Sequence, residues 1–389
     1  MNYAKYLLLS SIVLTHQALI ADLNASCEKC HFTPHQSEEH LTEETSSQKV
    51  FTQGIALSSE DMLGVEEPSQ VSLPSNRSLF KISGEYLYLR ATQEGLNYGL
   101  ITSLGTKAKP PLTALIGKFA HFQPSFKPGY RVGASYLVPH ARGELSLNYM
   151  HYAMDTLSSI TPSPAQIIYP LFANQNDDPY ATSAQGLWSL KMNCVDLTYN
   201  SLFNISKSFS LRPFLGARSA WISQHIIAQY NNTAFPGDAG ESSHTALTNL
   251  DWNVSSYGPV GGAETNYFLF KGISFFAKGT AALLVGRSHP TLQETLIPTG
   301  TIGTQTGEQA EIKNRFWFNA PVFELNTGLS YTQDWEQGGL EIQVGWEEQI
   351  FAKQNLSSLF ISEFNHGTTR TSHGNLGLSG YTLKASLTF

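Results

Sequence analysis

Counting back by twos from Phe389 gives Leu387, Ala385, Leu383 and Tyr381, with Thr388, Ser386, Lys384 and Thr382 standing between them. Side chains along a strand alternate between two faces, so this segment has one apolar face and one polar face. A final strand of this form that ends on Phe is the usual assembly signal of a bacterial outer-membrane β-barrel. Tyr381, Leu383, Leu387 and Phe389 are its apolar side, and the expected partners are barrel assembly machinery and outer-membrane lipid. Such a barrel meets lipid outside and water inside.

The opposite end of the chain supports export. Lys5 precedes the apolar run Tyr6–Leu14, and Ala18-Leu19-Ile20-Ala21 follows. A charged start, a short apolar stretch and small residues make a secretory signal too short to span a bilayer as a helix. Residues 1–21 are therefore read as a signal peptide. Residues 22–78 are polar and read as an acidic periplasmic leader, and 79–389 as the barrel.

No later segment has about twenty consecutive apolar residues, as a membrane helix needs. Charged residues are 14% and aromatic residues 12% of the chain, a low charge content for a soluble domain. Alternation hides a barrel from average hydropathy, because every second residue faces water. Between Asp22 and Arg77 ten acids stand against Lys29, Lys49 and Arg77, which places −7 in the leader. The barrel is then nearly neutral. A nucleic-acid partner would require a basic stripe, and none is present.

From Phe80 onward, alternating segments rich in Tyr, Phe, Leu, Val and Thr predict ten antiparallel strands. The first five are Ile82–Thr92, Gly129–Val138, Ala141–Met154, Leu187–Phe203 and Phe209–Gln229. The second five are Val254–Phe270, Gly272–Arg287, Trp317–Thr332, Gly338–Phe351 and Leu376–Phe389. Connections alternate between short and long, the pattern of periplasmic turns and extracellular loops around an even number of strands. Leu96–Ile101 and Leu112–Phe122 could pair and raise the number to twelve or more.

Parity assigns the faces. Leu211, Pro213, Leu215, Ala217 and Trp221 share one side of the fifth strand, and Arg212, Gly216, Arg218 and Gln224 the other. Arginine at the bilayer midplane costs about 2–4 kcal/mol, so the arginine side must be the lumen. The same parity sends Arg131, Glu144, Glu264, Lys278, Glu324, Glu341, Glu347 and Lys384 inward as pore-lining residues beside Arg212 and Arg218. These charges either form cross-lumen ion pairs or line a hydrophilic channel, and both can hold together. Tyr149, Tyr152, Trp188, Trp221, Tyr267, Trp317 and Tyr331 suit interfacial girdles.

Leu211-Arg212-Pro213-Phe214-Leu215-Gly216-Ala217-Arg218-Ser219-Ala220-Trp221-Ile222, followed by Gly258-Pro259-Val260-Gly261-Gly262, carries a resemblance. With Gly84-Glu85-Tyr86-Leu87-Tyr88-Leu89 and Phe389, it resembles the Legionella-type pore-forming major outer-membrane proteins, which also occur in chlamydia-like bacteria. The resemblance covers about Phe80 to Phe389 and implies a porin-like barrel passing small solutes. The acidic leader lies outside that pattern.

Cys27-Glu28-Lys29-Cys30-His31 fits the c-type haem attachment pattern. It stands in a polar leader with no core to hold a haem, so a disulfide involving Cys27 and Cys30 is the favoured reading in an oxidising compartment. The histidines are scattered, and no Gly-x-Ser-x-Gly elbow, Walker loop or zinc spacing is present. The expectation is a non-catalytic porin without a metal or cofactor, passing small hydrophilic solutes, with a homo-oligomer possible. The alternative is a closed structural barrel or adhesin acting through its long loops.

Overall fold

A ring closes where Phe80 and Phe389 exchange main-chain hydrogen bonds, N to O, at 3.0 Å in each direction. The computed structural model describes residues 80–103, 117–138, 143–164, 166–173, 180–233, 244–298, 307–335, 338–355, 358–360, 369–371 and 374–389. The signal peptide, the leader and the Cys27/Cys30/His31 motif lie outside them.

The strands, in chain order, begin with β1 (Phe80–Gln93), β2 (Asn97–Ser103), β3 (Gly117–His121), β4 (Lys127–Val138), β5 (Gly143–Ile160) and β6 (Gln166–Pro170). Next come β7 (Ser183–Ser201), β8 (Phe203–Ser206), β9 (Phe209–Thr233), β10 (His244–Phe270), β11 (Ile273–Pro298) and β12 (Gly307–Lys313). The last are β13 (Phe316–Trp335), β14 (Gly338–Asn355), β15 (Ser358–Phe360), β16 (Thr369–Thr371) and β17 (Gly374–Thr388). Ten of these make a closed antiparallel barrel in the order β1-β4-β5-β7-β9-β10-β11-β13-β14-β17, with β17 returning to β1.

Local chemistry sets the tight turns. Lys271 and Gly272 join β10 to β11 with φ of 44° and 81°, the double left-handed geometry that matches strand twist in a two-residue hairpin. A Cβ on Gly272 would stand 2.4 Å from the Thr332 carbonyl oxygen, so only glycine fits there.

The predicted strands all occur, but they run further than expected. β9, β10 and β11 are 25, 27 and 26 residues long, against the roughly 9–11 that cross a bilayer. The extra length lies on the long-loop side, so the barrel projects beyond the membrane. The alternation changes meaning along each strand. On β9 the inward positions are Arg212 and Arg218 near the turns, and then Ala220, Ile222, Ile226, Ala228 and Tyr230, all buried. Outward, Leu215 and Trp221 give way to Ser223 and His225. Beyond the lipid the outside meets water, and the interior becomes the apolar side.

Leu96–Ile101 and Leu112–Phe122 do contribute paired strands, β2 and β3, but outside the barrel wall. With β6 they form a three-stranded sheet in the order β3-β2-β6. Tyr98 and Phe122 of this segment pack with Trp188 in one buried cluster, Phe122 and Trp188 having ring centroids 6.3 Å apart. Tyr152 and Trp188, expected in an interfacial girdle, are interior residues. The Tyr152 hydroxyl donates to the Leu89 carbonyl at 3.0 Å, and the Trp188 Nε1 to the Gln224 side chain at 3.1 Å. The reversal of polarity above the membrane is the reason.

Candidate functional site: a charged layer beneath a packed cap

All ten residues expected to line the lumen face the barrel interior, and most meet a charged partner there. The Arg131 guanidinium on β4 donates to Glu85 on β1 at 2.7 Å and to Glu347 on β14 at 2.7 Å. Arg218 on β9 forks onto Asp196 of β7 at 2.6 and 2.7 Å, and onto Glu324 of β13 at 2.5 and 3.0 Å. Such two-pronged pairs fix a geometry as well as a charge. Lys81 bonds Glu341 at 2.6 Å, and Arg212 stands 3.7 Å from Glu144.

Glu264 is flanked in register by Arg212 on β9 and Lys278 on β11. Neither Lys278 nor Lys384 has an ion pair among the described residues, although Lys278 lies over the Phe214 ring at 5.4 Å. Three interior residues were not anticipated: Lys81, Glu85 and Asp196. Parity alone would have found them, because Glu85 alternates with Gly84 and Tyr86 as Arg218 does with Ala217. Counted together, Glu85, Glu144, Asp196, Glu264, Glu324, Glu341 and Glu347 face Lys81, Arg131, Arg212, Arg218, Lys278 and Lys384, a balance of −1.

The free space in this layer tapers. A cavity of about 170 Å³ at the turn end is lined by Lys81, Glu144 and Arg212. Next comes one of about 80 Å³ reaching Arg218, and then one of about 60 Å³ bounded by Glu85, Arg131, Arg218, Glu324 and Glu347. Each has room for a few water molecules. Above them Leu87, Leu89, Tyr152, Trp188, Met192, Ile226, Trp252, Leu284, Val322 and Phe351 are at most 1% exposed. Together they make a closely packed apolar tier in the barrel interior.

A polar thread runs through the packing. Gln224 donates to Gln93 at 3.1 Å. Lys353 has φ of 56°, and the pairing of β14 with β17 shifts between Phe351 and Asn355. Gln354 is fully buried beside this irregularity, and neither atom of its side-chain amide has a partner.

The apolar side of β17 faces outward: Tyr381, Leu383, Leu387 and Phe389 are exposed, and Tyr381 packs edge-on against Trp346 with centroids 4.8 Å apart. Cys194 is a buried free thiol. Among the described residues no group of three His, Cys, Asp or Glu side chains could hold a metal ion.

Residues 72–389 match the family model described as Legionella pneumophila major outer membrane protein precursor. No curated protein matches the chain. Solved structures with a similar trace include the outer membrane protease OmpT from Escherichia coli, at 12% identity over 80% of this chain and 96% of that one, with a TM-score of 0.40. A Pseudomonas aeruginosa FadL homologue is similar at 10% identity over 81% and 90%, with a TM-score of 0.26. The translocator domain of the autotransporter NalP from Neisseria meningitidis is similar at 9% identity over 80% and 88%, with a TM-score of 0.25.

Proposed function

This chain belongs to the Legionella major outer membrane protein family, and on that premise we propose that it is a gated porin of the bacterial outer membrane, held here in its closed state. The observation that carries this reading is the tapering charged layer. A barrel with a purely structural role gains little from so many interior charges, because apolar replacements of buried ion pairs are often neutral or stabilising. Water in the taper gives those charges a use. Small hydrophilic solutes and ions enter from the periplasmic side as far as Arg131 and Arg218, and pass when the cap of β2, β3 and β6 shifts. The neutral thread of Gln93, Gln224 and Gln354 is the path of least desolvation through the apolar tier. The near balance of interior charge favours weak selectivity. The reading includes no catalysis.

The packed tier favours one other reading, a closed barrel that acts through its surface loops. Planar-bilayer recording separates the two. Purified, folded protein is expected to open rarely and in small steps. A variant with β2 and β3 replaced by a short Gly-Ser connection is expected to stay open. Lys278→Gln with Lys384→Gln removes two cations that form no ion pair among the described residues, and should move the reversal potential toward cation preference. Silence from both the native protein and the cap-deleted variant, each shown to be folded, would leave the closed barrel as the function.

A further inference from the structure

The pore reading leaves the outer wall of the barrel unused, and above the lipid belt that wall carries an ordered row of polar side chains. Ser189 on β7 stands opposite His225 on β9, and His225 stands opposite Asp251 on β10. Their chain neighbours Trp188, Leu190, Gln224, Ile226, Leu250 and Trp252 are buried, so alternation turns all three outward. Side chains directly opposite each other have Cβ atoms about 4.5–5.5 Å apart. The His225 Nδ1 donates to the Asp251 carboxylate at 2.5 Å, and its Nε2 has no partner among the described residues. The Ser189 hydroxyl has none there either.

A groove of about 470 Å³ opens over this row, walled also by Lys191, Ser223 and Asn253, which form the next row toward the membrane. Lys191 shares the face of Ser189 two residues along and has no ion pair among the described residues. With Lys127 and Lys191 set against Asp155 and Asp251 the groove is neutral, which suits an uncharged molecule. On the far side Leu157, Leu187 and Ile227 lie in register as a short apolar row, with Leu157 72% exposed. Trp221 and Tyr257, exposed aromatic residues of the kind that mark a membrane interface, lie four and six residues nearer the turns. At about 3.4 Å per residue the row stands roughly 13 Å along β9 from Trp221, in water. A His–Asp pair by itself is an ordinary surface contact. A free serine in the same row, beneath an open groove, distinguishes this one.

We propose that Ser189, His225 and Asp251 form a hydrolytic site for small, uncharged carboxylic esters on the outer wall of the barrel. The Ser189 Oγ adds to the ester carbonyl carbon while its proton passes to His225 Nε2. Asp251 is a positioning residue that holds the ring through Nδ1 and balances the charge the ring gains. The ester C–O bond then breaks, and the alcohol departs with that proton. Water attacks the acyl-serine in the same way, releasing the carboxylic acid and restoring Ser189. Lys191 is the cation placed to meet the oxyanion that develops. The row of Leu157, Leu187 and Ile227 receives a short acyl chain, and the row of Ser223 and Asn253 the alcohol. The site is separate from the lumen and independent of conduction.

The test uses the purified full-length protein in detergent, with p-nitrophenyl butyrate as substrate and an alkyl fluorophosphonate as label, read by peptide mass spectrometry. Hydrolysis of the butyrate ester and a phosphonyl adduct on Ser189 are expected. Ser189→Ala and His225→Gln should each lower kcat roughly 10²–10⁴-fold. Asp251→Asn should lower kcat and leave KM unchanged, a split that a merely structural role would not produce. Heat-modifiable migration on gels establishes that each variant is folded, and planar-bilayer behaviour like that of the native protein shows that the lumen is untouched. Absence of the Ser189 adduct from folded protein overturns the site, as does hydrolysis that survives Ser189→Ala. Native kcat in Asp251→Asn overturns the row as a working unit.

Discussion

Arg218 on β9 and Glu324 on β13 meet inside the barrel with β10 and β11 lying between their strands, so the contact is a chord across the ring and not a rung of the sheet. Arg131 and Glu347 form a second chord, spanning β1 and β17. Hydrogen bonds along the wall set the circumference, and these two contacts restrain the cross-section.

Arg218→Ala leaves Asp196 and Glu324 facing each other without a cation. Removing one member of a buried pair costs about 3–5 kcal/mol. The barrel is expected to unfold at clearly lower urea concentration, followed by gel mobility without heating. Adding Asp196→Asn and Glu324→Gln should recover most of the loss. A single variant as stable as the native protein contradicts the chord's role.

Gln354→Leu replaces an amide that is buried without partners. Relief of such a group is worth about 1–3 kcal/mol, so stability should rise. If the amide also belongs to the conduction path, openings in planar bilayers become rarer. Higher stability with unchanged conductance separates the packing role from the transport role.

Tyr230 donates its hydroxyl to the Tyr98 carbonyl at 2.6 Å, tying β9 to the cap. Tyr230→Phe removes that bond, and the longer one its hydroxyl accepts from the Phe172 amide at 3.3 Å, and keeps the ring. A net bond of about 0.5–1.5 kcal/mol translates into roughly two- to tenfold more open time in bilayer recordings. Unchanged open probability would exclude movement of the cap at this point.

Gly216 and Gly84 form a paired test of packing. A Cβ on Gly216 would stand 2.0 Å from the Leu197 carbonyl oxygen, whereas nothing lies within 4 Å of one on Gly84. Gly216→Ala should reduce yield of folded barrel and destabilise it by about 1–3 kcal/mol or more, and Gly84→Ala should do neither. Comparable yields of the two variants would refute the steric account.

Cys194, buried beside Met150 and Ala220 in register, is expected to resist maleimide in the folded protein and to react fully in urea. Rapid labelling of the folded state would show an interior open to solvent.

Most of the barrel was legible from residues. Arg212, Arg218 and Lys278 can face lipid only at high cost, and their parity fixed the faces of β9 and β11. Strand ends expected at Phe270 and Gly272 left Lys271 alone to join β10 to β11, one residue short of the Lys271-Gly272 turn. The outer extension was harder to see, because an average over β9 mixes Leu215 and Trp221 outside with Ile222 and Ile226 inside. Tyr152 and Trp188 were misread for the same reason: an aromatic residue near a strand end has one meaning at an interface and another above it. The cap was half visible, since the pairing of β2 with β3 was foreseeable, but the third strand, β6, comes from a different loop. Ion pairing depends on which strands oppose each other across the ring, and single-strand parity does not contain that.

The reversal of polarity along each strand guards the assembly frame. Suppose β9 slid by one residue against β10. In the lower half Arg218 would turn to hydrocarbon, and in the upper half Ile226 and Tyr230 would turn to water. A porin wall with a wet interior along its whole length would suffer only the first error. Here the same slip is penalised at both ends of one strand and in two different solvents, so the long β9, β10 and β11 act as rulers that admit a single alignment.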